Sequence, residues 1–313
     1  MPNFAGNLIT AKHRVTLNLL VLMKSNFSVL LTFLLAFVVS NAPYVSASEN
    51  VDDESLTEKT EDLSGPVNIE IGARVDYQRD YRQGDAFDDN CGFKGKYLMF
   101  LVTGNINEKF SYVYKQRLNE IHKNANFFDG TDQLKLMYRF NKKWDITAVK
   151  MSMAFGSYEY QYDPMDMYMY SEWGNSIPCY KFGASLGWNA GANDRFELQF
   201  HESPFDKRHM DLYAYSLAWY GTHKALKTVY TANVLEYQPG EFIYYLGLGH
   251  HLDLGNFAVE FEYLNRATKN HAFFFKDYSI VGQVAYRPTD RWNVYAKATY
   301  GYNNTGDVAL THC

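Results

Sequence analysis

Two groups of charged residues are spaced so that they could act together on ions. Four acids occur in one long tyrosine-rich segment: Glu159, Asp163, Asp166 and Glu172. Five bases occur at alternating positions in the strands predicted before that segment: Arg74, Lys115, Arg117, Lys135 and Arg139. Acids that face bases across a narrow passage focus the electric field there and sort ions by charge. The alternative is that the acidic segment stays in solvent and carries ordinary hydrated charges.

Bond-making chemistry has little support in the sequence. The histidines and acids of 201–209, and the pair His250 and His251, match no standard spacing of metal ligands. Ser157 and Ser203 lack the flanking residues of a nucleophile elbow. We therefore predict no catalytic residue, no metal site and no cofactor.

The elements that must position these charges are β-strands. About thirteen segments alternate apolar and polar residues: 67–79, 94–106, 110–120, 132–140, 144–154, 179–189, 195–202, 211–221, 226–236, 241–251, 257–265, 277–287 and 292–302. Successive side chains of a strand point to opposite faces, so one face meets an apolar medium and the other meets water. The first segment, for example, places Ile69, Ile71 and Val75 opposite Glu70 and Arg74.

The connections between these segments alternate in length. Short turns follow every second strand, and the other connections are longer: 80–93, 121–131, 155–178, 203–210, 237–240 (the one short exception) and 266–276. An up-and-down transmembrane β-barrel requires this alternation, and the strands have the ~9–11 residues that a tilted crossing needs. Two stretches, 97–101 and 212–220, are apolar on both faces. We expect them to pack against a neighbouring subunit or an infolded loop.

Composition agrees with a membrane barrel. Aromatic residues make up 17% of the 313 residues, with 26 Tyr and 22 Phe, and such side chains favour membrane–water interfaces. The mean hydropathy of -0.36 does not exclude a barrel, because alternating strands average to weak hydropathy. A formal net charge of -5 argues against nucleic acid as a partner.

The amino-terminal part reads as an export signal. Met23-Lys24, the apolar stretch 27–39 and the small residues before Ser48 have the order of a signal peptide, and an uncleaved anchor is the alternative. We assign 1–47 to an upstream extension and signal peptide, with either Met1 or Met23 as the start. Residues 48–66 are an acidic, flexible periplasmic lead-in, and 67–313 form the barrel.

The three cysteines are too few for a disulfide framework. Cys91 falls in the predicted outer loop 80–93, and Cys179 directly follows the predicted outer loop 155–178. A bridge between these two and a pair of free thiols are both compatible with the sequence.

Several stretches in order resemble the phosphate-selective porin O and P family, in its Bacteroidetes branch. They are Ala-Phe-Gly-Ser-Tyr-Glu-Tyr at 154–160, Pro-Met-Asp-Met-Tyr at 164–168, Ile-Pro-Cys-Tyr-Lys-Phe-Gly-Ala-Ser at 177–185 and Leu-Gln-Phe-His-Glu-Ser-Pro-Phe at 198–205. The resemblance covers roughly 67–305. It implies a sixteen-stranded outer-membrane barrel, assembled as a homotrimer, whose third outer loop, 155–178, folds into the lumen and narrows it.

This sequence departs from the family pattern in two ways. Only about thirteen strands are visible before Cys313, so we expect the carboxy-terminal strands to be missing. Selectivity for phosphate would need a run of Arg and Lys along the lumen, whereas the chain is net acidic. The selectivity in the family's name therefore does not carry over.

The sequence favours an all-β outer-membrane porin, embedded in outer-membrane lipid, for passive diffusion of small hydrophilic solutes, with phosphate-like anions among the candidates. A secreted soluble β-sandwich that binds carbohydrate is the first alternative. An outer-membrane hydrolase barrel is the second. The alternatives differ from a porin in needing a two-layer core or a catalytic constellation.

Overall fold

The structure is a computed structural model of the chain. It describes residues 12–17, 65–82, 85–120, 127–165, 167, 169–171, 173–174, 177–178, 180–205, 211–268, 274–289 and 292–304. Within these residues, no helix has the length and apolar character needed to cross a lipid bilayer.

The described residues form fourteen strands and three short helices. The strands are β1 (Lys12–Leu17), β2 (Asn68–Arg82), β3 (Asp85–Asn105), β4 (Phe110–Arg117), β5 (Thr131–Arg139), β6 (Trp144–Ser152), β7 (Tyr180–Asn189), β8 (Asp194–Glu202), β9 (Tyr213–His223), β10 (Leu226–Gln238), β11 (Glu241–Asp253), β12 (Phe257–Thr268), β13 (Asp277–Thr289) and β14 (Trp292–Asn303). The helices are two 3₁₀ turns, Leu118–Glu120 and Phe127–Gly130, and one α-helical turn, α1 (Tyr158–Gln161). All thirteen strands predicted from the sequence are present, as β2–β14.

All fourteen strands belong to one antiparallel sheet. From β2 to β14 each strand pairs with the next one along the chain, which is an up-and-down meander. The pairing of β6 with β7, for example, sets Trp144 opposite Trp188. Since the described strands form one sheet, they do not build the two-layer sandwich of the soluble alternative.

The strand β1 was not predicted. It pairs with β14, with Val15 opposite Tyr300, and lies inside the segment assigned to the upstream extension and signal peptide. Most of 1–64 lies outside the described residues, so the signal peptide and the acidic lead-in stay predictions.

Exposure alternates along the strands in the sense opposite to that of a soluble protein. On β9 the exposed side chains are Tyr213, Tyr215 and Leu217, whereas Ala214 and Ser216 between them are buried. The same inversion holds on β2 and β12, where the exposed residues include isoleucine and phenylalanine. An apolar outer face with small or polar residues inside is what contact with lipid requires.

The short connections are closed by side chains that mimic turns. Asn107 Oδ1 accepts hydrogen bonds from the N–H groups of Lys109 (2.9 Å) and Phe110 (3.0 Å). Asn141 Oδ1 does the same for the N–H groups two and three residues later. Asx turns of this kind fix a tight reversal with few residues. They all lie at one end of the sheet, called here the short-turn end.

Aromatic rings form a continuous band on the outer face near the short-turn end. Trp144 stacks on Trp188 with 5.7 Å between centroids, Trp188 on Phe196 at 5.5 Å, and Phe196 on Trp219 at 6.2 Å. Tyr230 then meets Trp219 edge-on at 5.2 Å. This band crosses five neighbouring strands at one level, as an interfacial aromatic girdle does.

A second group of rings marks the opposite end of the strands. On β13, Tyr278 lies beside Tyr300 and Tyr302 of β14, with centroids 6.2 and 5.4 Å away. Tyr286, near the short-turn end of the same strand, stacks on Phe257 at 4.5 Å. Eight residues along a strand tilted by about 40° rise about 20 Å along the barrel axis. This separation is close to the ~25 Å apolar band of an outer-membrane barrel.

The hairpin of β2 and β3 is longer than the sequence analysis predicted. The segment 80–93 was expected to be a loop, but β3 begins at Asp85, and Asp80 pairs with Phe87. The prediction ended the strands where the alternation of apolar residues ends. Beyond the level of lipid, a hairpin needs only its backbone hydrogen bonds to continue, so polar residues extend it without a period-two pattern.

Candidate functional site

The connection between β6 and β7, residues 153–179, is called here the inner loop. Its large side chains are buried: the exposed fraction of Phe155 and Trp173 is 0%, and that of Tyr158 is 1%. Because the outer face of the sheet is exposed, a buried loop of this size lies on the inner face. The described part of the loop contacts the inner faces of β2, β4, β8, β10, β12 and β14. The sheet therefore curls around it.

The first part of the loop rests directly on β10 and β11. Asn233 Nδ2 donates to the carbonyl oxygen of Ala154 at 2.6 Å, and Thr231 Oγ1 donates to that of Gly156. On β11, a Cβ atom at Gly247 would lie 2.1 Å from Gly156 O, and one at Gly249 would lie 1.8 Å from Ser157 Oγ. At Gly247 only glycine leaves room for the approach of the two backbones, and at Gly249 it leaves room for the Ser157 side chain.

Aromatic packing fixes the body of the loop. Phe155 stacks on Trp173 with 4.8 Å between centroids, and Tyr245 of β11 lies 4.8 Å from Phe155. The inward apolar residues of the wall complete this cluster: Ala214, Leu235, Ile243, Leu264 and Val281. The described loop residues and this part of the wall therefore pack as one apolar cluster, and the predicted two-faced strand 212–220 faces the loop through Ala214.

The acid Glu159 is buried at the start of α1 and is paired. Its Oε1 accepts hydrogen bonds from Lys297 Nζ at 2.7 Å and from the N–H of Ser171 at 2.7 Å, and its Oε2 accepts one from the Ser171 hydroxyl. Lys297 also donates to the carbonyl oxygen of Met169 at 3.1 Å. Lys297 of β14 thus holds two parts of the loop, which are ten residues apart in sequence (159 and 169), on one ammonium group.

Two further carboxylates, those of Glu260 and Glu262, lie beneath α1, on β12. Glu262 Oε2 accepts the Glu159 N–H at 3.3 Å, and Glu260 Oε2 accepts the Tyr162 hydroxyl. His251 Nδ1 lies 3.2 Å from Glu260 Oε2. Burial, and then the negative charge of Glu260, raise the pKa of Tyr162 well above its usual range. Tyr162 therefore stays a neutral donor at physiological pH.

Near the other end of the meander the loop meets basic residues of β2 and β4. Lys115 Nζ lies 2.6 Å from Asp163 Oδ2. Arg74 Nη1 donates to the carbonyl oxygens of Met165 (3.0 Å) and Met167 (2.7 Å), while its Nη2 lies 2.6 Å from Asp76 Oδ2.

The predicted site residues therefore fall into three groups. Arg74, Lys115, Glu159 and Asp163 meet at the inner loop. Arg117 pairs with Asp132 on the wall at 2.6 Å, Lys135 is buried on β5, and Arg139 is exposed at the short-turn end of β5. Asp166 and Glu172 lie outside the described residues, as does Cys179, so their roles and the Cys91–Cys179 pairing stay predictions.

Sequence reasoning missed the residues that seat the loop. No role was predicted from the sequence for Lys297, Glu260, Glu262, Thr231 or Asn233. One usable signal was present in the Leu-Gly-Leu-Gly pattern of 246–249, whose glycines fall at inward positions of β11. Two small inward residues in register indicate that something packs close to the strand.

The chain was compared with solved structures. It is similar to OmpTΔL8, a loop-deletion mutant of an outer membrane protein of Vibrio cholerae (9% identity, 76% of this chain and 97% of that one, TM-score 0.38). It is also similar to OccK2 of Pseudomonas aeruginosa (11%, 79% and 67%, 0.37) and to an anion-selective porin from Comamonas acidovorans (9%, 75% and 98%, 0.35).

Comparison with sequences gives the family. No curated protein matches the chain. The model of the family "phosphate-selective porin O and P" matches residues 67–243, which is more than half of the chain and includes β2–β10 and the whole inner loop. The chain belongs to the phosphate-selective porin O and P family, and it is a porin of the bacterial outer membrane.

Proposed function

We propose that the protein is a passive diffusion channel in which the inner loop forms the constriction. The observation that carries this proposal is the attachment of one loop to strands near both ends of the meander, through Lys115 of β4 with Asp163 and Lys297 of β14 with Glu159. A loop held in this way reduces the cross-section open to solutes, so the channel admits small hydrophilic molecules and rejects larger ones.

The charge balance at the loop favours a channel that selects solutes mainly by size and only weakly by charge. Arg74, Lys115 and Arg117 each lie within 2.6 Å of a carboxylate oxygen, so these bases of the proposed wall are neutralised by acids of the same chain. A solute passing them meets paired charges of both signs rather than a row of free cations. Small neutral solutes and small ions, including phosphate-like anions, would pass on size.

The remaining parts of the proposal rest on the family. Assembly as a homotrimer in outer-membrane lipid is implied by the resemblance. Diffusion through a water-filled passage needs no chemical step, and we propose that the protein is not an enzyme.

Single-channel recording in planar bilayers tests the proposal. The parent protein should give open, ion-conducting steps. Lys115→Glu places a second carboxylate beside Asp163, so it should change the step size and shift the reversal potential towards cation preference. Arg139→Glu makes the same change of charge at the exposed short-turn end, away from the inner loop, where water screens the charge, so its effect should be smaller.

Two results would contradict the proposal. One is purified, folded protein that forms no channels. The other is a Lys115→Glu variant with the step size and reversal potential of the parent, which would place the loop and this wall away from the conducting path.

A further inference from the structure

The inner loop binds both ends of the long meander, β2 and β14. Along the sheet these two strands are twelve neighbour spacings apart, which is about 58 Å of curved surface. Arg74 extends from β2, and Lys297 extends from β14. Both side chains donate to the same short stretch of the loop.

The contacts place the two cations close together. Arg74 holds the carbonyl oxygens of Met165 and Met167, and Lys297 holds that of Met169. Carbonyls two residues apart are separated by at most about 7 Å, so Arg74 Nη1 and Lys297 Nζ lie within about 13 Å of each other. The first and last strands of the meander are therefore tied to one short stretch of the loop from either side of the region we call the seam, where β1 pairs with the free edge of β14.

The two anchors, Arg74 and Lys297, are both mostly buried and both make several polar contacts. The side-chain exposure of Lys297 is 8% and that of Arg74 is 12%. Each cation has a carboxylate partner as well as loop carbonyls, Glu159 for Lys297 and Asp76 for Arg74. Charge-assisted hydrogen bonds at buried sites are strong and directional. On the β2 side, Gly72 lets Met165 approach the wall, since a Cβ there would lie 2.7 Å from Met165 Sδ.

We propose that the inner loop is a brace that holds β2 and β14 together across the seam, so that seating of the loop and closure of the barrel are one coupled event. This role goes beyond narrowing the channel. A constriction could be lost while the barrel stays intact, whereas loss of a brace opens the wall itself. The brace also makes the constriction a permanent part of the fold and not a movable gate.

A double-mutant cycle tests the coupling. Arg74→Met and Lys297→Met each remove one attachment of the brace. Barrel stability is measured by heating samples to increasing temperatures and following the loss of the folded, fast-migrating form on gels that are run without further heating. Each single variant should lower the midpoint temperature by roughly 10 °C. Since a brace fails when either end is free, the double variant should lie close to the weaker single variant.

The matched control is Arg117→Met, which removes a base paired with Asp132 on the wall. Its shift should add to that of Lys297→Met, because Arg117 is not one of the anchors. If the shifts of Arg74→Met and Lys297→Met add in full, the two anchors act independently and the brace is refuted.

A distance measurement keeps the proposal testable if the double variant fails to fold. Spin labels at Ile71→Cys on β2 and Ala298→Cys on β14, with the three native cysteines replaced by serine, report the width of the seam from its exposed outer face. The parent protein should give a narrow distribution of distances between the two labels. Lys297→Met should give a broad distribution, and Arg117→Met should give the same distribution as the parent. A narrow, unchanged distance in Lys297→Met would overturn the proposal. Channels that conduct in spite of such a result would leave the proposed function standing.

Discussion

Lys297 and Glu159 are 138 residues apart in sequence, yet their charged groups meet at 2.7 Å with almost no exposure to solvent, 8% and 0% for the two side chains. The lysine belongs to the last strand of the meander and the acid to the loop that follows β6. Neither charge is free for a solute. Their pairing is structural, and it decides where the loop sits.

Removal of the lysine should therefore be costly. Lys297→Met leaves the Glu159 carboxylate buried without its cation, and we expect the free energy of unfolding to fall by about 3–5 kcal/mol. Urea titration followed by tryptophan fluorescence in lipid vesicles measures it. In the double variant Lys297→Met with Glu159→Gln, the charge of Glu159 is removed together with its partner, so much of the loss should be recovered. A single variant as stable as the parent would show that the pair contributes nothing.

The glycines of β11 should control the position of the loop. Gly247→Val places side-chain atoms where the backbone oxygen of Gly156 lies, so the loop must move away from β11. We expect a cost of about 1–3 kcal/mol from overpacking and a larger single-channel conductance, because the constriction is displaced. Gly282→Val is the matched control, since no atom lies within 4 Å of its Cβ. Equal conductance in both variants would be inconsistent with a loop seated on β11.

The raised pKa of Tyr162 predicts that the folded protein loses stability at alkaline pH. Its pKa is raised in the folded protein, by burial first and by Glu260 second, whereas the unfolded chain has the ordinary value of about 10. Above pH 10 the unfolded state releases this proton more readily than the folded state. The stabilisation is therefore complete below pH ~10 and is lost as pH rises beyond it.

The midpoint temperature of the folded form, measured between pH 9 and pH 11.5, checks this dependence. Tyr162→Phe should be less stable at pH 9, because Glu260 loses a buried donor, but it should show a shallower decline above pH 10. A decline as steep as that of the parent would assign the pH dependence to other groups.

The outer face should behave as a lipid contact. Phe261 of β12 lies between the two aromatic bands, and Trp292 of β14 lies at the short-turn end, and both are 46% exposed. Because an arginine near the middle of the bilayer must be desolvated, Phe261→Arg should cost about 2–4 kcal/mol and Trp292→Arg about 0–1 kcal/mol. Unfolding in vesicles of defined lipid measures both. Equal costs would mean that depth in a bilayer is not what distinguishes the two positions.

The strands were predictable from the sequence because their signal is local. Alternation of Ile69, Ile71 and Val75 with polar residues reports the two media on either side of β2 without any knowledge of its neighbours. The short turns are equally local, since Asn107 and Asn141 bond only to residues within three positions. The length of the β2–β3 hairpin was missed because backbone pairing outside lipid leaves no periodic signal.

The site was predictable only in part. The sequence indicated acids on a loop and bases on a wall, and Lys115 does meet Asp163. The sequence could not show that Glu159 pairs with Lys297, because this pairing depends on the curvature of the whole sheet, which no single strand determines. The hydrogen bonds from Thr231 and Asn233 to loop carbonyls have no sequence signature, since any backbone oxygen can accept them.

The aromatic band at the short-turn end gives the protein a useful optical property. Of its five tryptophans, Trp144, Trp188 and Trp292 are exposed on the outer face and Trp219 is stacked into the same band, whereas Trp173 is wholly enclosed in the inner loop. Brominated phospholipids will quench the fluorescence of the first four tryptophans by contact, and Trp173 will continue to emit. The residual fluorescence then comes from Trp173 in the inner loop, and it reports motion of that loop without an added probe.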